Sequence, residues 1–271
     1  MIAQTPPMPP SLPGPSALDP VFDPLDPVIR VTPAQVLAVL AQGEVETHGL
    51  LPYSSNYNFL VTVKEGDVQA PAVYKPRRGE SPLWDFARGT LCLRERAAYV
   101  VSEALGWDLV PPTVLRKGPE GLGSVQFFVD ALPDDHYFTV REDARHAETL
   151  RRLALFDAVI NNADRKSGHC LVDRRGRLWA IDHGICFHEE HKLRTVIWEF
   201  ADQPISPDLL ADLAEFHAVL ADPTHPTAQE IQRLLRPGET HALADRVAVL
   251  VDDGVYPSPL PHRRNFPWPP I

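Results

Sequence analysis

Two polar loops, each carrying an aspartate, lie on either side of a short hairpin pattern in the middle of this chain. The first loop, Asn161–His169, follows a helical pattern and contains Asp164. The second begins at Asp182, 18 residues after Asp164. Residues 170–181 predict two short strands around a turn at Arg174-Arg175-Gly176. A hairpin brings its two ends together, so the sequence predicts that the two carboxylates lie side by side.

The hydrophobic pattern elsewhere predicts strands in the first half of the chain and helices in the second. Before the loops we expect a helix at 33–43, strands at 45–51, 57–63 and 72–75, a helix at 88–105, and strands at 113–115 and 125–129. After residue 134 we expect helices at 143–160, 207–220, 226–235 and 239–252. The pattern is typical of an α+β fold with a small β-rich N-lobe at 29–133 and a mainly helical C-lobe at 134–256.

Both ends of the chain are rich in proline. Of the 29 prolines, nine fall within residues 1–30 and six within 257–271. Proline lacks a backbone donor, so these ends are expected to be neither helical nor sheet-paired. Residues 1–28 are predicted to be a disordered arm. The tail at 257–271 is either free or held along the body by Phe266 and Trp268, which are costly to leave in water.

Charge and cysteine content exclude several functions. Lys and Arg total 26 against 36 Asp and Glu, a net charge of −10. This balance argues against a general nucleic-acid binder and against a polybasic membrane-surface protein. No apolar run is long enough to predict a transmembrane segment. The three cysteines include no close pair, so we expect no disulfide framework and a cytoplasmic location.

The two loops resemble the catalytic region of the protein-kinase-like superfamily. The resemblance is carried by Asn162-Ala163-Asp164-Arg165 and by Asp182-His183-Gly184. It is closer to phosphatidylinositol 3-/4-kinases and HipA-like atypical kinases than to ordinary protein kinases, and is closest to a bacterial group described as similar to those lipid kinases. It implies a bilobal kinase-like fold in which Asp164 orients the attacking hydroxyl and Asp182 binds a metal ion. His169 stands where these kinases place a metal-binding Asn, so it is the second candidate metal ligand.

The same resemblance assigns roles to residues of the N-lobe. Lys75, on the third predicted strand, would hold the nucleotide phosphates. Glu95, on the following helix, would fix Lys75, and Glu103 on that helix is the alternative partner. The run at 125–129 would line the adenine pocket. The remaining candidate contacts to the nucleotide are Ser54, Ser55 and Asn56 between the first two strands, and Phe128 and Val129 in the apolar run.

The resemblance implies an ATP- and Mg²⁺- or Mn²⁺-dependent kinase that phosphorylates a hydroxyl of a protein or small molecule. A nucleotide-binding pseudokinase, acting through a partner protein and without turnover, is the first alternative. A phosphoinositide kinase is the second, although residues 183–192 carry one Lys against two Glu and offer little charge for an anionic lipid. A metal-dependent hydrolase built on His183, His188 and His191 is a third, although His188 and His191 lack the spacing of a zinc protease helix.

Overall fold

The computed structural model describes residues 32–51, 56–132 and 134–271, which form an α+β fold. Its first part is an antiparallel five-stranded sheet with the strand order β1-β2-β3-β5-β4. The strands are β1 (Glu44–Leu50), β2 (Phe59–Glu65), β3 (Val68–Pro76), β4 (Thr113–Gly118) and β5 (Gly121–Phe127). Each lies close to a predicted strand. The predicted disordered arm at 1–28 lies outside the described residues.

The sheet has one face on a small hydrophobic core. On β3, Ala72 and Tyr74 are buried and pack with Leu40 of the helix α1 (Pro33–Gln42). Successive side chains of a strand point to opposite faces of its sheet. Lys75, which lies between two buried positions, therefore projects from the face opposite α1.

Helices make up most of the second part of the described chain. They are α2 (Leu91–Ala104), α3 (Tyr137–Val140), α4 (Ala147–Val159), α5 (Pro207–Ala221), α6 (Pro226–Leu234) and α7 (Pro237–Asp253). The last three each begin with a proline, a residue whose missing donor costs nothing at that position. Gly254, with a left-handed φ of 64°, ends α7. The four predicted helices of this region are present, and α4 begins later than expected because residues 144–146 form a 3₁₀ turn.

The helix α2 packs into the large hydrophobic core of the helical region. Arg94 of α2 forms a buried ion pair with Glu239 of α7. Arg96 of α2 donates from Nε to Glu230 Oε1 of α6 at 2.8 Å. Because both pairs join α2 to the C-terminal helices, the helix that carries Glu95 has a fixed position relative to them.

The predicted hairpin is present and joins the two polar loops. Its strands are β6 (Cys170–Val172) and β7 (Leu178–Ala180), paired antiparallel with Cys170 opposite Ala180. Just beyond the pairing, Ile181 N donates to His169 O at 3.0 Å. The end of the first loop and the start of the second are therefore held side by side, as the sequence predicted.

The tail at 257–271 lies along the body and is held by its main chain. Asn265 O accepts from Thr195 N and from Trp198 Nε1, both at 3.1 Å. Of the two alternatives for the tail, the structure therefore shows the one held along the body, although Phe266 and Trp268 do not hold it, since they remain 53% and 78% exposed. No helix among the described residues is long and apolar enough to cross a membrane.

Candidate active site

Lys75 forms a bridge between two carboxylates. Its Nζ lies 2.6 Å from Glu95 Oε1 and 2.6 Å from Asp182 Oδ1. Burial disfavours the charged amine, but the charges of Asp182 and Glu95 outweigh burial and raise the pKa of Lys75. The lysine is therefore a fixed cation at neutral pH. Of the two predicted partners on α2, the structure pairs Lys75 with Glu95 and not with Glu103.

Asp182 follows β7 at a turn in the backbone. Its φ of 64° lies in the left-handed region, which is uncommon for a residue other than glycine. The charge of Lys75 holds the pKa of this carboxyl well below its usual range, against the effect of burial. The side chain is still 46% exposed, and its Oδ2 lies 3.3 Å from His169 Nε2. Asp182 is therefore an ionised carboxylate that a solvent-borne cation could reach.

The segment after Asp182 is joined to α2. Glu95 Oε2 accepts a hydrogen bond from His183 N at 3.1 Å, while Glu95 Oε1 binds Lys75. The next residue, Gly184, passes so close to α2 that an added Cβ would lie 3.3 Å from Leu91 Cβ. Glu95 therefore positions both Lys75 and the backbone that carries Asp182.

A buried ion pair supports the loop that carries Asp164. Arg165, 0% exposed, donates from Nε to Asp157 Oδ2 of α4 at 3.0 Å, and Nη2 lies 2.9 Å from Asp157 Oδ1. Its Nη1 donates to Ile181 O at 2.9 Å, and Nη2 lies 2.8 Å from His183 Nε2. One guanidinium thus joins α4, the first loop and the segment around Asp182. The sequence analysis did not identify this anchor, although an Asp on the apolar helix and an Arg beside Asp164 are its signal.

Asp164 lies at the edge of this supported loop. Its backbone N donates to Asn162 Oδ1 at 3.0 Å, and Asn162 Nδ2 in turn donates to Asp157 Oδ1 at 2.9 Å. Burial raises the pKa of Asp164, an effect that the charge of Lys166, 3.5 Å away, partly offsets. The sequence analysis also missed Lys166, whose position two residues after Asp164 places both charged ends on one side of the loop.

His169 is neutral at physiological pH and contacts Asp182. Burial lowers the pKa of His169 to about 4. Its Nδ1 accepts from Lys166 N at 3.4 Å, an arrangement that places the single ring proton on Nε2, which faces Asp182. In this tautomer the ring presents its N–H toward the carboxylate, with Nε2 3.3 Å from Asp182 Oδ2. It could coordinate a metal through Nε2 only after the proton moves to Nδ1.

The histidines proposed for a zinc hydrolase have separate partners. His183 Nε2 faces Arg165, and His188 Nε2 lies 3.0 Å from Asp85 O. Within residues 32–51, 56–132 and 134–271, no three His, Cys, Asp or Glu side chains are grouped so that they could hold a metal ion. The described residues therefore provide no centre of the kind that the hydrolase hypothesis needs.

Of the other predicted nucleotide contacts, two lie outside the described residues and two already bond within the protein. Ser54 and Ser55 lie outside the described residues. Asn56 Oδ1 accepts from Ser81 N at 2.7 Å, so part of this side chain is already bonded within the protein. The backbone donor of Phe128 is already used by Pro71 O at 2.9 Å. Val129 is 8% exposed, and in the described part of the chain its backbone N and O have no hydrogen-bond partner, so it can offer main-chain contacts.

This chain is similar to a known family model and to a protein of Mycobacterium tuberculosis. A family model described as phosphatidylinositol 3- and 4-kinase matches residues 115–216, a range that includes Asp164, His169 and Asp182 but neither Lys75 nor Glu95. Protein Rv2133c of Mycobacterium tuberculosis is 39% identical over 265 residues, covering 86% of this chain and 94% of that protein.

Two further matches are more distant. Phosphatidylinositol 4-kinase gamma 4 of Oryza sativa subsp. japonica is 31% identical over 152 residues, which cover 48% of this chain and 26% of that protein. Among solved structures, a Golgi casein kinase with Mn/ADP bound aligns with a TM-score of 0.50 at 17% identity, over 81% of this chain and 74% of that chain. At this identity the structural match bears on the fold alone.

Proposed function

This chain belongs to the same family as Mycobacterium tuberculosis protein Rv2133c, within the atypical protein-kinase-like superfamily, and we propose that it is an ATP- and divalent-metal-dependent kinase. The acceptor would be a hydroxyl of a protein or small molecule. The observation that carries the proposal is the bridge from Lys75 Nζ to Glu95 and Asp182, 2.6 Å on each side. In kinases a lysine paired with a helix glutamate contacts the triphosphate while a nearby aspartate holds the metal ion, and Lys75, Glu95 and Asp182 are close enough to take these roles.

The proposed nucleotide site lies around Lys75. Lys75 would bind the α- and β-phosphates, and Glu95 would keep its ammonium in place. Val129 would offer main-chain contacts to adenine, with Phe128 beside it. Ser54, Ser55 and Asn56 remain the proposed phosphate-contacting residues of the β1–β2 connection. In this proposal the nucleotide binds between an N-lobe at 29–133 and a C-lobe at 134–256, and the tail at 257–271 belongs to neither.

The metal-binding residue of the proposal is Asp182. Its lowered pKa keeps it ionised, and its half-exposed carboxylate is a hard oxygen ligand of the kind that Mg²⁺ and Mn²⁺ prefer. When bound, such an ion would neutralise phosphate charge. His169 is the second candidate ligand, subject to the change of tautomer described above. The residues present therefore fit one divalent ion held mainly by Asp182.

Asp164 would orient the acceptor hydroxyl and accept its proton. The carboxylate is partly buried, so its pKa is raised and it is a better base than an exposed aspartate. Lys166, 3.5 Å from Asp164 Oδ2, keeps a positive charge beside the place where the phosphoryl group would arrive. The anchor Arg165–Asp157 would keep this loop rigid during transfer.

The first alternative is a pseudokinase that binds nucleotide without turnover. The observation that favours it is His169, which places a ring nitrogen 3.3 Å from Asp182 Oδ2 at the position where the resemblance implies an oxygen ligand. A phosphoinositide kinase is the second alternative, favoured by the matched family model and by the rice relative. We rank it lower because residues 183–192 carry two Glu and one Lys.

The test uses the full chain with ATP and either Mg²⁺ or Mn²⁺. Thermal shift measures binding, and release of ADP measures turnover. Lys75→Ala is expected to reduce both, whereas Lys64→Ala, which removes an exposed lysine paired with Glu46 on the same sheet, is expected to change neither. Nucleotide binding that persists unchanged in Lys75→Ala would overturn the proposal. Binding without turnover in the wild-type chain would favour the pseudokinase.

A further inference from the structure

The C-terminal tail forms a shallow groove beside the proposed catalytic loop. We call it the tail groove, and its lining residues are Arg263, Arg264, Asn265, Phe266, Pro267 and Trp268. The backbone of the tail is attached to the body at two points, one within this stretch and one just after it. Asn265 O accepts from Thr195 N at 3.1 Å, and Pro270 O accepts from Ser167 N at 2.9 Å. The tail groove therefore has a fixed backbone although its aromatic side chains are exposed.

The two residues to which the tail is attached, Ser167 and Thr195, are both connected to the loop that carries Asp164. Ser167 is three residues after Asp164 in the same loop. Thr195 forms a parallel bridge with Arg165, and Val196 N donates to Arg165 O at 3.1 Å. A tail held by Thr195 on one side and by Ser167 on the other runs alongside the loop that presents Asp164. The tail that forms the groove is therefore attached to the loop that carries Asp164 and to the segment bridged to Arg165.

The edge of the tail groove is positively charged. Arg263 Nη1 donates to His191 O at 3.3 Å. Arg264 donates from Nε to Phe266 O at 3.1 Å, and among the described residues it forms no ion pair. Its side chain is exposed, and its charge offsets only a small part of the effect of burial, which raises the pKa of Asp164. Two guanidinium groups at one groove stand out on a chain with a net charge of −10.

The groove also presents apolar surface. Phe266 and Trp268 are 53% and 78% exposed on a backbone that is held in place. Exposed aromatic side chains next to arginines are enriched where proteins bind other proteins. A shallow open groove suits an extended chain that lies across it, whereas a small molecule would be poorly enclosed. An anionic membrane would meet the net negative charge of the whole protein, while an acidic segment meets mainly the two arginines.

We propose that the tail groove is the acceptor subsite and that Arg264 selects a protein segment with an acidic residue near the phosphorylated Ser or Thr. This inference rests on the proposed kinase function. In the transfer, the acceptor oxygen forms a bond to the γ-phosphorus while the bond from that phosphorus to the β–γ bridging oxygen breaks. Asp164 accepts the hydroxyl proton, and ADP leaves with the bridging oxygen.

The experiment uses two sets of Ser-containing peptides that differ only in flanking Glu or Gln residues. We compare the wild-type chain with Arg264→Gln and with the control Arg233→Gln. Arg233 is an exposed arginine of α6. Binding of labelled peptide is followed by fluorescence anisotropy, and phosphotransfer is followed with ATP and Mn²⁺. Arg264→Gln is expected to weaken binding of the Glu peptides, and to raise their KM, by about three- to tenfold. In Arg264→Gln, the binding and KM of the Gln peptides and the thermal shift caused by ATP should be unchanged. In the control Arg233→Gln, the binding and KM of both peptide sets should be unchanged.

The outcomes separate this inference from the kinase proposal. If the Glu peptides bind through Arg264 but no phosphate is transferred, the groove is a peptide-binding site, and the kinase function fails together with the acceptor role. If peptides are phosphorylated with equal KM in wild type and Arg264→Gln, the kinase stands and the subsite is refuted. Phosphorylation of vesicles containing phosphatidylinositol that depends on Arg264, without phosphorylation of either peptide set, would also refute the peptide subsite and assign the groove to a lipid.

Discussion

The buried pair of Arg165 and Asp157 makes a quantitative prediction about the loop that carries Asp164. In Arg165→Met the side chain keeps much of its volume but loses its charge and its donors to Asp157, to Ile181 O and to His169 O. Both partners of the pair are 0% exposed, so the carboxylate of Asp157 would remain buried without a counter-charge. Breaking such a pair on one side costs about 3–5 kcal/mol of folding free energy.

For a domain of this size, about 1 kcal/mol corresponds to a shift in Tm of about 2–4 °C, so Arg165→Met should lower Tm by on the order of 6–20 °C. Thermal unfolding followed by circular dichroism measures the shift. The matched control is Arg145→Met, which breaks the pair with Asp143 on the surface and should leave Tm nearly unchanged.

A double variant distinguishes an unpaired buried charge from lost packing. Arg165→Met combined with Asp157→Leu removes both charges, so it should be more stable than Arg165→Met alone. The reasoning is refuted if Arg165→Met lowers Tm no more than Arg145→Met does. It is also refuted if removing Asp157 as well adds a further full loss of stability, because the two residues would then act independently.

Two further predictions concern the proposed chemistry. Asp164→Asn keeps the shape of the side chain but cannot take a proton, so phosphotransfer should fall by at least ~10²-fold while the thermal shift by ATP persists; loss of ATP binding with normal transfer per bound ATP would contradict the assigned role. His169→Asn should leave the ratio of Mn²⁺- to Mg²⁺-supported activity unchanged, because Nδ1 accepts from Lys166 N and the ring proton is therefore on Nε2, the nitrogen that faces Asp182. A shift of that ratio toward Mg²⁺ would instead identify His169 as a metal ligand.

Much of the fold could be predicted because its signals are local. Alternating burial on β3, prolines at helix starts and the turn between β6 and β7 depend on residues near one another in sequence. The meeting of Lys75 on a strand, a glutamate on the next helix and Asp182 after a hairpin was implied by the resemblance to the protein-kinase-like superfamily, not by the local pattern. The choice between Glu95 and Glu103 was open, because it depends on where α2 is held by α6 and α7.

The residues that the sequence missed act through distant contacts. Arg165 next to Asp164 could have been a solvent-exposed charge, and only the packing of α4 against the hairpin shows that it is buried on Asp157. The tail is the reverse case, because its aromatic side chains are exposed. Hydrophobicity left open whether the tail is free or held by Phe266 and Trp268, whereas backbone hydrogen bonds to Thr195 and Ser167 hold the tail and leave both rings exposed. Main-chain pairing of this kind leaves no pattern in the side chains.

The most direct test of the proposed kinase site is a crystal structure of the full chain with a non-hydrolysable ATP analogue and Mn²⁺. The proposal predicts phosphate oxygens at Lys75 Nζ, the metal ion on Asp182 and the γ-phosphate directed toward Asp164. Anomalous scattering from manganese would locate the ion independently of the nucleotide. A nucleotide bound away from Lys75, or a γ-phosphate directed away from Asp164 with manganese bound elsewhere, would contradict it.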